Sequence, residues 1–169
     1  AVALGTRLGL SVDDLDALRI GGYLHDIGKV GIPDRILLKD GRLTADEYAL
    51  MKTHTEIGDR LCAELRMLKP VRPIVRHHHE HVDGTGYPDG LKGDAIPLLA
   101  QVMGVVDVFD ALTTSRPYKA TLSVEEACEV LRDDLLGHAR SLRALDEVGD
   151  GGLQQRLLVP RLELHGAAQ

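Results

Sequence analysis

Apolar residues recur at helical spacing along most of the chain, and glycine or proline separates one run from the next. The spacing predicts helices over about 12–27, 44–52, 55–68, 74–81, 98–113 and 123–136. Three of them begin at a capping residue with acids in the first turn, namely Ser11, Thr44 and Ser123. Residues 83–97 are rich in glycine and proline and are predicted to form a loop with defined turns. The pattern predicts an all-α bundle of about six helices without a sheet.

Composition supports a helical fold and limits the classes of partner. The chain has 169 residues, of which 44% are hydrophobic and only 3% aromatic. Strands favour aromatic and β-branched residues, so a core of leucine, valine, isoleucine and alanine fits helices better. The net charge of -6 provides no basic field, and a nucleic acid polymer is not expected as a partner. An anionic substrate would need local lysine and arginine residues, or metal ions.

The remaining general features concern location and domain limits. No apolar run reaches membrane-spanning length and no signal-peptide pattern is present, so a cytoplasmic location is expected. Cys62 and Cys128 fall on apolar sides of predicted helices and are interpreted as small buried hydrophobic residues. The helical pattern weakens after Gly137. We therefore predict one domain over 1–136 and a divergent C-terminal helix or tail over 137–169.

The densest chemistry lies in residues 77–88, which read His-His-His-Glu-His-Val-Asp-Gly-Thr-Gly-Tyr-Pro. Neutral imidazole is the commonest protein ligand for metals, and carboxylate often accompanies it. A purification tag and a solvated polar loop are the alternatives. The interrupting acids, the internal position and the glycine-rich turn argue against a tag.

Other polar groups can join these histidines in a metal site. Asp107 lies in an apolar segment, where an unpaired carboxylate costs several kcal/mol unless it has a cation, a hydrogen-bonded partner or a shifted pKa. A buried salt bridge to Arg116 or Lys29 is one solution. A metal shared with His25, Asp26, His54 and the 78–79 histidine pair is another, and helix bundles are known to hold two ions in this way. Taken alone, the His25-Asp26 pair and His54 are weak signals.

Several motifs in order resemble a known family. The segment His25-Asp-Ile-Gly-Lys29 resembles the signature of the HD superfamily of metal-dependent phosphohydrolases. The series continues through His54, the 78–88 segment, Asp107-Val-Phe-Asp-Ala-Leu112 and Arg116-Pro-Tyr-Lys119. It resembles the HD-GYP domain and covers about residues 10–136.

The resemblance implies a bacterial phosphodiesterase that hydrolyses cyclic di-GMP or a related cyclic dinucleotide to pGpG or GMP. It implies two divalent metal ions, usually iron or manganese, which generate the attacking hydroxide from water. The implied metal ligands are His25, Asp26, His54, His78, His79 and Asp107. Asp26 would bridge the ions and, with Lys29 on the scissile phosphate, form the catalytic pair.

The resemblance also implies substrate contacts and a regulatory context. Gly86, Tyr87 and Pro88 would form the loop beside the substrate, and Arg116 and Lys119 would contact the dinucleotide. An upstream receiver or sensor domain, with signalling partners, is expected. The series lacks the family's first helix, which carries ligands for a third metal, so the domain is expected to be truncated at its N-terminus. A catalytically impaired binding module and an HD hydrolase acting on another nucleotide are the alternative functions.

Overall fold

The computed structural model describes residues 1–114 and 122–134. Throughout these two stretches the secondary structure is helical and no strand occurs, which confirms the all-α fold class. The α-helices are α1 (Val2–Arg7), α2 (Val12–Leu24), α3 (Asp34–Leu37), α4 (Ala45–Lys52), α5 (His54–Ala63), α6 (Arg72–His77), α7 (Leu98–Thr113) and α8 (Val124–Asp134). Short 3-10 helices cover Ile27–Gly31, Arg66–Leu68 and Gly93–Ala95. The six predicted helices correspond to α2 and α4–α8, whereas α1 and α3 were not predicted.

The predicted helix starts are confirmed by their capping bonds. The Ser11 side chain accepts a hydrogen bond from the backbone N–H of Asp14, at 3.2 Å. At the start of α4, Thr44 and Glu47 form a reciprocal capping box. Ser123 caps α8 by accepting a bond of 3.2 Å from the backbone N–H of Glu126. Short polar residues therefore set where these three helices begin.

Two helices end earlier than the apolar spacing predicts. Helix α2 stops at Leu24, and the chain turns through the 3-10 helix Ile27–Gly31. Helix α6 stops at His77, so the histidines after it lie at and beyond its C-terminus rather than along its face.

The predicted length of α5 was wrong. The helix ends at Ala63, and Leu61 and Leu65 are 45% and 54% exposed. The inward face of α5 consists mainly of small and polar residues instead: His54, Thr55, Gly58, Asp59 and Cys62. This face meets the backbone at Gly28, supplies His54 to the site and adds Cys62 to a small apolar cluster.

Helix α7 crosses the centre of the bundle. Its buried residues Val102, Met103 and Val105 join the main apolar cluster, to which α1, α2, α6 and α8 also contribute. A second cluster consists of Cys62, Val71 and Val75, so Cys62 is buried as predicted, while Cys128 is half-buried. No helix in the described stretches has the length and apolar content that crossing a bilayer requires.

Two glycines let backbone segments pack closely where α2, α5, α6 and α7 meet. A Cβ on Gly104 of α7 would lie 2.6 Å from the carbonyl oxygen of His78. A Cβ on Gly28 would lie only 1.8 Å from the carbonyl oxygen of His54. The end of α2, the start of α5, the end of α6 and the middle of α7 are thereby held together.

Candidate metal centre

Four histidine rings from three parts of the chain converge at this junction. His25 is the C-cap of α2, His54 is the first residue of α5, and His78 is the C-cap of α6, followed by His79. The ring centroids of His78 and His79 are 4.1 Å apart, and those of His54 and His79 are 5.2 Å apart. The His25 ring meets the His78 ring edge-on at 5.1 Å.

Two carboxylates complete the cluster. Asp26 Oδ1 lies 3.4 Å from His54 Nε2, and its Oδ2 lies 3.7 Å from His25 Nε2. Asp107 Oδ1 lies 3.6 Å from the same nitrogen of His25. Asp26 therefore presents its two oxygens to two different histidines, the arrangement that a bridging carboxylate requires. The six residues that the sequence predicted as metal ligands are brought together.

The salt bridge between Asp107 and Lys29, an alternative to a metal at Asp107, is not formed. The Lys29 ammonium lies 2.6 Å from Asp26 Oδ2, so it pairs with Asp26 and not with Asp107. Asp107 instead faces His25. Arg116, the other alternative partner, lies outside the described residues.

Backbone carbonyls fix which nitrogen of the rings faces the cluster. The Nδ1 atoms of His25, His54 and His78 lie 3.1 Å, 2.9 Å and 2.9 Å from backbone carbonyl oxygens. A carbonyl oxygen only accepts, so each Nδ1 carries a hydrogen. Burial lowers the pKa of His54 and of His78, and in their neutral rings the Nε2 atom then keeps its lone pair. Such backbone bonds are the usual means of orienting a metal-binding histidine.

The lone pairs are left in an arrangement that a cation would satisfy. The Nε2 atoms of His54 and His78 are buried without a hydrogen-bond partner within the described part of the chain. The Nε2 lone pair of His54 also faces a carboxylate oxygen of Asp26, which is repulsive unless positive charge lies between them. Asp26, His54, His78 and His79 can each offer one ligand atom, all within 4.8 Å of one another. This donor set fits a metal ion.

The protonation states also suit a metal. Burial, reinforced by the neighbouring histidines, lowers the pKa of His78 to about 3. Burial and His54 lower the pKa of His79 to about 4. The neighbouring His25 lowers the pKa of Asp107. Burial raises the pKa of Asp26, but the hydrogen bond and the charge of Lys29 lower it overall. The site therefore combines neutral imidazoles with ionised carboxylates at neutral pH, the forms that bind metals.

These shifts predict a pH-dependent stability for the metal-free chain. The folded-state pKa values of His78 and His79 lie below the ordinary 6.5, so the unfolded state binds more protons below pH 6.5. The free energy of unfolding should fall as the pH drops from 6.5 towards 4, by ~1.4 kcal/mol per pH unit for each histidine at most. The raised pKa of His25 offsets part of this loss.

The measurement is urea unfolding at pH 7 and pH 5 in the presence of a chelator. A His78→Gln variant should show a flatter dependence, because it lacks one of the groups that must charge on unfolding. Equal unfolding free energies of the natural chain at both pH values would contradict the assignment of neutral, buried imidazoles.

The loop after the histidines lies directly against the cluster. The Tyr87 ring stacks on the His79 ring, with centroids 4.8 Å apart and planes 29° apart. Burial raises the pKa of the Tyr87 hydroxyl. A Cβ on Gly86 would lie 2.3 Å from the backbone nitrogen of His81, so this approach requires glycine. The structure thus places Gly86, Tyr87 and the adjoining Pro88 beside the candidate metal site.

Sequence reasoning missed two residues near this loop, Lys52 and Glu80. The Lys52 ammonium lies 5.7 Å from the Tyr87 ring centroid and 5.3 Å from that of Tyr48. Glu80 is buried beneath the loop. The only sequence signals were a cation two residues before His54 and an acid beside the histidine pair. Arg116 and Lys119 lie outside the described residues, so their predicted contacts stay predictions.

The fold and the site define the class of protein. The sequence profile of the HD domain family matches residues 1–137. The chain therefore belongs to the HD domain family, as the motif beginning at His25 predicts.

Curated relatives are consistent with the HD-GYP resemblance. The chain is 46% identical over 127 residues to the cyclic di-GMP phosphodiesterase response regulator RpfG of Xanthomonas campestris, covering 74% of this chain and 34% of that protein. It is 44% identical over 126 residues to a cyclic di-GMP phosphodiesterase of Thermotoga maritima, covering 73% and 34%. A 3'3'-cGAMP-specific phosphodiesterase of Vibrio cholerae is 41% identical over 125 residues, covering 73% and 24%. The match thus spans about a third or less of each relative's length.

Proposed function

We propose that this chain is the catalytic domain of a metal-dependent phosphodiesterase that hydrolyses cyclic di-GMP, or a related cyclic dinucleotide, to pGpG or GMP. The observation that carries the proposal is the convergence of buried Nε2 lone pairs of His54 and His78 on the carboxylate of Asp26. The names of the relatives supply the substrate class, and the cGAMP-specific relative is the reason to include related dinucleotides.

We infer two divalent ions, iron or manganese, held by the six residues His25, Asp26, His54, His78, His79 and Asp107. Nitrogen and carboxylate donors in this proportion suit both metals. When bound, a pair of ions lowers the pKa of water and neutralises charge on a phosphodiester. The two oxygens of Asp26, directed at different histidines, make it the residue that would join the two ions.

The protein groups have complementary tasks. Lys29 holds an ammonium group 2.6 Å from Asp26, at the edge of the cluster, where it can neutralise a non-bridging phosphate oxygen. The carbonyls behind His25, His54 and His78 fix the ring orientations, so no reorganisation is needed when substrate binds. Tyr87 shields one side of the His79 ring from water. Arg116 and Lys119 are proposed to contact the dinucleotide.

The proposal is tested by loading the chain with Mn²⁺ or Fe²⁺ and following conversion of cyclic di-GMP to pGpG by chromatography. Turnover should appear with metal, stop with excess chelator and return when metal is restored. Linear pGpG should accumulate first. Metal binding without turnover of cyclic di-GMP or of 3'3'-cGAMP would reject catalysis in favour of a binding module.

We also propose a regulatory context for the whole protein. The name of the Xanthomonas relative includes the words response regulator, which supports an upstream receiver or sensor domain in this protein as well. Signalling partners and the cytoplasmic location stay predictions. The limits of the two predicted regions, 1–136 and 137–169, also stay predictions, and residues 135–169 lie outside the described part of the chain.

A further inference from the structure

A buried carboxylate lies beneath the loop that covers the candidate metal centre. Glu80 follows His79 in the chain and is only 1% exposed. Its Oε1 accepts the backbone N–H of Asp89 at 2.7 Å, and its Oε2 accepts the backbone N–H of Leu91 at 2.9 Å. These two donors come just after Tyr87 and Pro88. The carboxylate therefore ties the far end of the loop back to the histidine segment.

Three further contacts fix the same loop. The Arg76 guanidinium makes a two-point bond to the Asp89 carboxylate, at 2.8 Å and 2.7 Å. The backbone N–H of Tyr87 donates to the carbonyl oxygen of His79 at 3.1 Å. Gly86 lies against the backbone of Glu80, where a Cβ would come within 2.5 Å of the Glu80 Cα. The loop is thus anchored on both sides of Tyr87.

The same side chains do not make a second cation site. His77, Glu80 and Asp89 offer ligand atoms close to one another. However, both Asp89 oxygens already face the Arg76 guanidinium, and both Glu80 oxygens accept backbone N–H groups. A guanidinium at this place repels a metal ion and supplies the charge that one would bring. Glu80 therefore binds the backbone of the loop at Asp89 and Leu91 rather than a cation.

We propose that Glu80 is a positioning residue for the metal centre, acting through the loop and Tyr87 on the ring of His79. The stacking of Tyr87 on His79 is the link, since the orientation of that ring is set by what packs on its face. The effect on metal binding follows from the cluster geometry alone, and only the effect on turnover rests on the proposed function. Outer-shell groups that orient a metal ligand typically change metal affinity by about 10–100-fold.

The test uses the full chain loaded with Mn²⁺ and the variant Glu80→Gln. Glutamine has nearly the same shape as glutamate, but its NH₂ group cannot accept a hydrogen bond. One of the two bonds from the backbone N–H groups of Asp89 and Leu91 is therefore lost. The backbone N–H groups of Asp89 and Leu91 should exchange slowly with solvent in the natural chain and much faster in the variant. Mn²⁺ affinity should fall by about 10–100-fold.

Fluorine NMR of the chain with fluorinated tyrosine reports the stacking of Tyr87 on His79. The chain has four tyrosines and no tryptophan, and a Tyr87→Phe variant assigns the Tyr87 resonance. In Glu80→Gln this resonance should move towards the position of a solvent-exposed tyrosine. The control is Leu4→Ala, which removes a buried side chain of the main core cluster, away from the loop. At equal folded fraction it should leave the Tyr87 resonance and Mn²⁺ affinity unchanged.

The outcomes separate this inference from the proposed function. Slow exchange at Asp89 and Leu91 together with unchanged Mn²⁺ affinity in Glu80→Gln would overturn the positioning role. A loosened loop and weaker Mn²⁺ binding in a chain that never turns over a cyclic dinucleotide would uphold it and reject catalysis. If Glu80→Gln does not fold, Glu80→Asp decides, because aspartate keeps the charge but is one methylene too short to accept both backbone N–H groups, those of Asp89 and Leu91. It should shift the Tyr87 resonance in the same direction, and an unmoved resonance would overturn the role.

Discussion

An Asp26→Ala variant is expected to lose turnover of cyclic di-GMP by more than about 100-fold. Substitution of residues that only support a metal ligand costs up to about 100-fold, and loss of a ligand should cost more. Asp26 is the group that contacts both sides of the cluster, with one oxygen 3.4 Å from His54 and the other 3.7 Å from His25. Its removal would deprive the two proposed ions of their common ligand and leave Lys29 without its partner. Metal content, measured by mass spectrometry after desalting, should fall with activity.

Two companion variants sharpen this result. Asp26→Asn keeps the shape but removes the charge, so it should also release metal. Asp40→Ala changes an exposed acid away from the cluster and should retain both metal and turnover. Undiminished turnover in Asp26→Ala would exclude Asp26 as a ligand and the two-ion centre with it.

The second large effect concerns folding. Gly28→Ala should destabilise the chain by about 4 kcal/mol or more, a size reached by few single substitutions. The new Cβ would lie 1.8 Å from the carbonyl oxygen of His54 and 2.5 Å from the backbone nitrogen of Gly58. These atoms belong to the backbone of α5, so no side-chain rotation relieves the clash. The 3-10 turn that carries Lys29 would have to leave α5, and the metal site would open.

A matched glycine separates this clash from the general effect of adding a methyl group. Gly22 lies in α2 with open space where a Cβ would be. Gly22→Ala should raise the free energy of unfolding by about 0.5–1 kcal/mol, because alanine favours helix. Chemical denaturation of the two variants at pH 7 measures the contrast. Equal midpoints for Gly28→Ala and the natural chain would show that α5 and the turn do not pack as described.

Much of the fold and the cluster could be predicted from sequence, and each success has a local cause. Ser11, Thr44 and Ser123 cap the predicted helices because short side chains bond to nearby N–H groups. Helix α7 has the predicted bounds because its apolar run is long and ends in polar residues. Asp107 could be singled out because a carboxylate in an apolar run is costly to bury without a cation, whereas the full set of six candidate ligands came from the resemblance of the ordered motifs to a known family.

The failures arise where distant contacts override local pattern. Helix α5 ends at Ala63 although the apolar spacing continues to Leu68, and its small residues turn inward to meet the Gly28 turn. Glu80 was overlooked because its partners are backbone N–H groups of the following loop, which no side-chain pattern reveals. The position of Lys52 over the ring of Tyr87 was missed because Tyr87 is far away in the sequence.

The candidate ligands lie at helix junctions, with His25 ending α2, His54 opening α5 and His78 ending α6. An ion at this point cross-links segments that are otherwise joined mainly by packing, and it favours the folded chain in proportion to the logarithm of its free concentration. Loss of the metal would therefore reduce the amount of folded protein as well as the proposed turnover. If the proposed manganese or iron site is filled in the cell, the supply of that metal would also set how readily this domain is degraded by proteases.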